Sequence, residues 1–147
     1  MSPQEVQRNE VHFPDDYSPS PDSTTFTKTD WWDSPAAIGT NFPAGLLFTL
    51  PDDMVGVIRF FAQYVNDMIA GDDIRWTIRI NETAYPNWND VKMFPTIASF
   101  RNVGDDPFIH IPEGGKVDVM LNNTTGLAKR IGASYSGWFW PNRKRGN

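Results

Sequence analysis

The 147-residue chain offers few residues that could carry covalent or metal chemistry. His12 and His110 are its only imidazoles, and it has no cysteine. A Ser-His-Asp site would have to use His110, yet no Gly-x-Ser-x-Gly elbow accompanies it. His110 sits between Ile109 and Ile111, just before Pro112, where a strand histidine reads as a structural or edge residue. Two histidines cannot supply a multi-histidine metal site, and the lack of cysteine removes disulfides and thiolate sites. No catalytic residue, metal ligand or cofactor is assigned, and no enzyme activity is expected.

Carboxylates are the next possibility. Asp15-Asp16, Asp52-Asp53, Asp72-Asp73 and Asp105-Asp106 are adjacent pairs, the last three at turn-like positions. Converging loop oxygens could hold calcium. A pair of carboxylates could also serve glycoside hydrolysis. Against both, aspartate is a favoured turn residue in its own right. No EF-hand spacing is present, and neighbouring carboxylates tend to point apart.

The aromatics remain. Trp76, Trp88, Trp138 and Trp140 raise carbohydrate binding, because sugar faces stack on exposed rings. In the closing run Ile131–Trp140, residues 131, 133, 135, 137 and 139 share one face and Trp138 and Trp140 the other. If Phe139 faces the core, both tryptophans face away from it. They then form either a second core or a contact patch.

Charge is unevenly spread. Residues 1–34 hold seven acids against two bases, which accounts for the whole net charge of −5 and leaves the remainder neutral. Phosphate binding needs a basic face, so nucleic acid is not an expected partner. Arg143-Lys144-Arg145 reads as a solubilising end. The start Met1-Ser2-Pro3-Gln4-Glu5 lacks both a basic and an apolar signal region, no apolar run reaches membrane-span length, and no membrane partner is expected. The Asn-x-Thr triplets at Asn81, Asn122 and Asn123 read as strand and turn residues.

Six of the twelve prolines fall within the first 45 residues. Proline fixes φ and removes a donor, so residues 1–43 read as an extended acidic arm. The arm nevertheless carries Phe13, Tyr17, Phe26, Trp31 and Trp32, which disordered segments seldom do. Either the tryptophan pair caps the chain's own core, or these rings seat in pockets on neighbouring subunits. Phe13, Tyr17, Phe26, Trp31, Trp32, Trp138 and Trp140 are accordingly the candidate partner-binding residues.

Residues 44–141 read as an all-β domain, with residues 142–147 a basic tail. Ile74, Trp76, Ile78 and Ile80 alternate with polar residues, as do Val117, Val119 and Leu121. Phe108–Ile111, Ala44–Leu50 and Ala128–Trp140 complete the strands. Met54–Ala70 carries a helical apolar stripe, but its β-branched and aromatic content favours a strand over Met54–Asn66. The pattern, with no βαβ alternation, predicts an antiparallel, jelly-roll-like β-sandwich with an irregular N-terminal arm.

Ile74–Asn81, the proline loop Ala84-Tyr85-Pro86, Phe108–Val117 with its Ile-Pro-Glu-Gly turn, and the aromatic run Ile131–Pro141 follow one another in an order that resembles the small β-sandwich virion proteins of tailed bacteriophages. That resemblance implies a structural role without catalysis. The chain would be a capsid cement or decoration protein in the virion, made in the host bacterial cytoplasm. Its partners would be the major capsid protein and neighbouring copies of itself, as a homo-oligomer with a trimer favoured. A head–tail connection component, and a carbohydrate- or receptor-binding module at a fibre tip or head fibre, are the alternatives.

Overall fold

A computed structural model describes residues 19–34, 39–66, 73–92, 98–102 and 109–142. Eleven strand segments occur among them: β1 (Thr24–Ser34), β2 (Gly39–Asn41), β3 (Phe48–Thr49), β4 (Met54–Val65), β5 (Ile74–Ile80), β6 (Thr83–Ala84), β7 (Val91–Lys92), β8 (Ala98–Asn102), β9 (Ile109–Ile111), β10 (Lys116–Asn123) and β11 (Lys129–Pro141). Short 3-10 turns cover Ala44–Leu46 and Pro86–Trp88.

All pairings are antiparallel, in two sheets. One runs β1-β11-β4-β8, with β9 also on β4. The other runs β2-β10-β5-β6, with β3 on β10 and β7 on β5. β2 with β3, β6 with β7, and β8 with β9 are interrupted single strands, each pair lying on one neighbour. Counted so, eight strands remain, in the orders first-eighth-third-sixth and second-seventh-fourth-fifth. This is the doubly wound Greek-key arrangement of a jelly roll. The all-β sandwich expected from the alternating pattern is the observed fold.

The core lies between the sheets. Ile58, Phe61, Val65, Ile131, Ala133 and Tyr135 from one sheet meet Ile74, Trp76, Ile78, Val117, Val119 and Leu121 from the other. Trp76, Ile78 and Val119 are fully buried, as their place on the apolar face requires. Two polar groups inside the sandwich are satisfied within it: Trp76 Nε1 donates to Gln63 Oε1 at 2.6 Å, and Tyr135 Oη donates to the Leu46 carbonyl at 2.7 Å.

Met54–Val65 is a strand, and its mixed periodicity has a cause. The register against β11 shifts between Ser136 and Gly137, whose partners are Phe60 and Ile58, so Arg59 is the extra residue of a β-bulge. Phe61, Gln63 and Val65 point inward on one side of the bulge, and Met54 and Ile58 on the other. An inserted residue turns a period of two into a stripe that imitates a helix. Gly137 lies against the bulge, where a Cβ would come within 1.9 Å of the Val57 carbonyl oxygen, so no other residue fits there.

The boundary expected between residues 43 and 44 is corrected. Thr24–Ser34 is the first strand of the jelly roll, paired with β11 over its full length from Thr24↔Phe139 to Ser34↔Lys129. Its inward positions are Phe26, Lys28, Asp30, Trp32 and Ser34. Averaging proline over residues 1–43 hides the proline-free window between Pro21 and Pro35 that accommodates this strand. Ala44–Leu46, expected as strand, is a 3-10 turn whose Leu46 plugs the core. Asn142 also belongs to the domain: its N–H donates to the Asp53 carbonyl at 2.7 Å and its Nδ2 to Glu113 Oε1 at 2.6 Å.

Candidate functional site: the outer face of the five-stranded sheet

The residues that point away from the core on β1, β11 and β4 form one broad face. Pairing places Trp31 beside Gly132 and Gly132 beside Tyr64, so these three make one row across three strands. Gly132 has no side chain, and the Trp31 indole lies in the space this leaves: a Cβ there would stand 2.6 Å from indole Cε3. Trp31 thereby reaches over β11 to Tyr64, ring centroids 5.1 Å apart and 65° between planes, an edge-on contact. Both rings stay accessible, Trp31 at 42% and Tyr64 at 37%.

The adjoining row is Asp33–Arg130. Arg130 Nη1 meets Asp33 Oδ1 at 3.2 Å, and the guanidinium lies 5.6 Å from the Trp31 ring. On the other side come Thr29 and Ser134, joined by a 3.0 Å hydroxyl–hydroxyl hydrogen bond, and then Thr27 and Ser136 in register with Phe60, which is 39% exposed. The face therefore presents an aromatic pair, a cation stacked at its edge, a strip of small hydroxyls and a third ring. Such a surface offers accessible aromatic area beside groups that can hydrogen-bond.

The candidate partner-binding residues separate into four groups. Phe13 and Tyr17 lie outside the described residues. Phe26 is packed on the core, 4.5 Å from Phe48 and 6.1 Å from Tyr135 between centroids, and Trp32 stands edge-on to Trp76 at 5.9 Å. These two cap the chain's own core. Trp31 alone of the β1 aromatics faces outward and open. Trp138 and Trp140 do turn away from the main core, but they are buried at 7% and 6% in a second cluster with Val55 and Val57. Of the two readings for this pair, a second core or a contact patch, the structure has the second core, and the exposed rings are Trp31 and Tyr64. Tyr64 and Phe60 were missed as surface residues because the bulge at Arg59 reverses which positions of β4 face out.

The sugar-stacking role raised for Trp76 and Trp88 is corrected too, since both are core residues at 0% and 3% exposure. Of the aspartate pairs, Asp52, Asp53 and Asp73 are described. Asp73 Oδ1 accepts from Arg75 Nε at 2.8 Å. Desolvation pushes its carboxyl up, but hydrogen bonds from Thr124 and Arg75, with the Arg75 and Lys92 charges, outweigh this and hold it below the ordinary range. Among the described residues no three His, Asp or Glu side chains gather into a metal-binding group, and no helix is long and apolar enough to cross a membrane. His110 lies exposed on β9, opposite Val57. No protein-family model matches the chain, and no curated protein matches it.

Proposed function

We propose that this chain is a structural protein of a bacteriophage virion, a capsid cement or decoration subunit that docks on the major capsid lattice through the outer face of its five-stranded sheet. The observation that carries the reading is the Trp31–Tyr64 pair, held open above Gly132 on a face that also carries Thr27, Thr29, Ser134 and Ser136. Rigid aromatics give large contact area at small entropic cost and dominate protein contacts. The jelly roll is common among viral capsid domains, which supports the reading by analogy of fold alone. The acidic segment before β1 adds a charge suited to basic grooves of a partner, an attachment that weakens as salt rises.

A carbohydrate- or receptor-binding module is the second reading, favoured by the same face, since an open indole beside a row of hydroxyls also suits a sugar ring. Co-sedimentation with capsids that lack the protein separates the two. The chain should pellet with capsids, and W31A and Y64A should each lose about 2 kcal/mol or more, roughly thirty-fold in affinity, with far-UV circular dichroism unchanged. Failure of the wild-type chain to pellet, together with quenching of its tryptophan fluorescence by oligosaccharides that W31A abolishes, would transfer the assignment to the sugar reading.

A further inference from the structure

β1 is an edge strand, and its sequence is complementary to itself. Among the described residues only β11 pairs with it. The direction of its outer backbone groups follows from two hydrogen bonds. Asn66 N–H donates to the Arg130 carbonyl, so the even-numbered residues of β11 along this stretch bond toward β4 and the odd-numbered ones toward β1. Trp31, paired with Gly132, therefore directs its N–H away from β11. That N–H is found on Asp30 Oδ1 at 2.8 Å. By alternation the N–H and C=O of Thr25, Thr27, Thr29 and Asp33 also point to the open side.

An antiparallel copy of β1 laid along this edge has several possible registers, and charge selects among them. With Thr29 opposite Thr29, Lys28 faces Asp30 twice, Phe26 faces Trp32, and Thr27 faces Trp31. Sliding to centre on Lys28 or on Asp30 sets like charges against each other. We propose that two copies of this chain join through β1, antiparallel and two-fold symmetric about Thr29, into one continuous sheet across both subunits. The occupant of the edge is a second copy because the complementarity is palindromic, as an isologous contact requires. In the pair, Trp31 N–H passes from Asp30 Oδ1 to the Thr27 carbonyl of the other copy, while Asp30 Oδ2 keeps the Gly45 N–H it accepts at 2.9 Å. The Trp31–Tyr64 platforms of both copies then lie on one extended face. This is a two-fold pair rather than the three-fold assembly that the family resemblance favours. It is measured on the isolated chain, so its failure leaves the capsid reading standing.

Sedimentation equilibrium of the full chain tests it, with T29P and K28D. Thr29 N–H makes no bond to β11, so proline removes the edge donor and the exposed Thr29–Ser134 hydroxyl bond but no rung of the β1–β11 ladder, and the subunit should stay folded. The wild type should be a dimer. T29P should be a monomer with an unchanged circular dichroism spectrum, and K28D, which sets carboxylate against carboxylate, should raise the dimer Kd about tenfold or more. A wild-type chain that stays monomeric at on the order of 100 µM would overturn the proposal. So would a dimer whose Kd K28D leaves unchanged, and that variant decides alone if T29P fails to fold.

Discussion

Tyr135 shows how a single side chain ties the layers together. Its ring belongs to the core, and its hydroxyl satisfies the Leu46 carbonyl of the 3-10 turn that closes the sandwich. Y135F keeps the ring and leaves that carbonyl unpaired, at a cost of about 1–3 kcal/mol. Burial, with the Asp118 charge adding to it, pushes the hydroxyl far above the ordinary tyrosine value of 10.0. A folded-state value raised in this way gives stability that is complete below the unfolded value and lost as pH rises through the folded one. The wild type should therefore lose up to about 1.4 kcal/mol per pH unit above roughly pH 10 that Y135F does not lose. Urea titrations of both proteins from pH 8 to pH 11.5 provide the check, and parallel curves would mean that the hydroxyl ionises freely in the fold. Nothing in the sequence singles out this tyrosine beyond its inward parity, because its acceptor lies 89 residues away.

At the level of elements, alternation was legible wherever strands run unbroken. Ile74–Ile80 and Lys116–Asn123 lie side by side in one sheet with their apolar positions in register, Val119 beside Ile78 and Leu121 beside Trp76. Two features lay beyond that signal. The bulge at Arg59 exists only relative to β11 and leaves no local mark in β4 except a confused period. β1 was hidden by the prolines on either side of it and by inward Lys28 and Asp30, which contradict the apolar rule. Charged side chains turned inward are a common feature of edge strands. In β1 both find partners: Lys28 Nζ lies 4.9 Å from the Phe48 ring centroid, and Asp30 bonds two backbone N–H groups. Two truncations follow from this placement. Removing residues 1–18 spares every described contact and should leave the unfolding midpoint within a few degrees of the full chain. Removing residues 1–34 strips the β11 ladder and uncovers Phe48, Trp76 and Tyr135, and should abolish cooperative unfolding by calorimetry. Survival of the longer truncation would return Thr24–Ser34 to the status of a dispensable arm.

For the molecule as a whole, the proposed docking role rests on a jelly roll with an open aromatic face and an acidic leading segment. The fold class was legible from strand spacing and the lack of βαβ alternation. The face was only half legible: Trp31 stood out as an aromatic in the wrong setting, whereas Tyr64 and Gly132 acquire meaning only through the β1-β11-β4 register. The central claim, that this face is buried against a capsid lattice, is tested most directly by an electron cryomicroscopy reconstruction of phage particles that carry the chain, at a resolution that separates strands. The account predicts a jelly roll bound to the major capsid protein, with Trp31 and Tyr64 in the contact. A subunit placed with that face turned to solvent, or particles without it, would contradict the account.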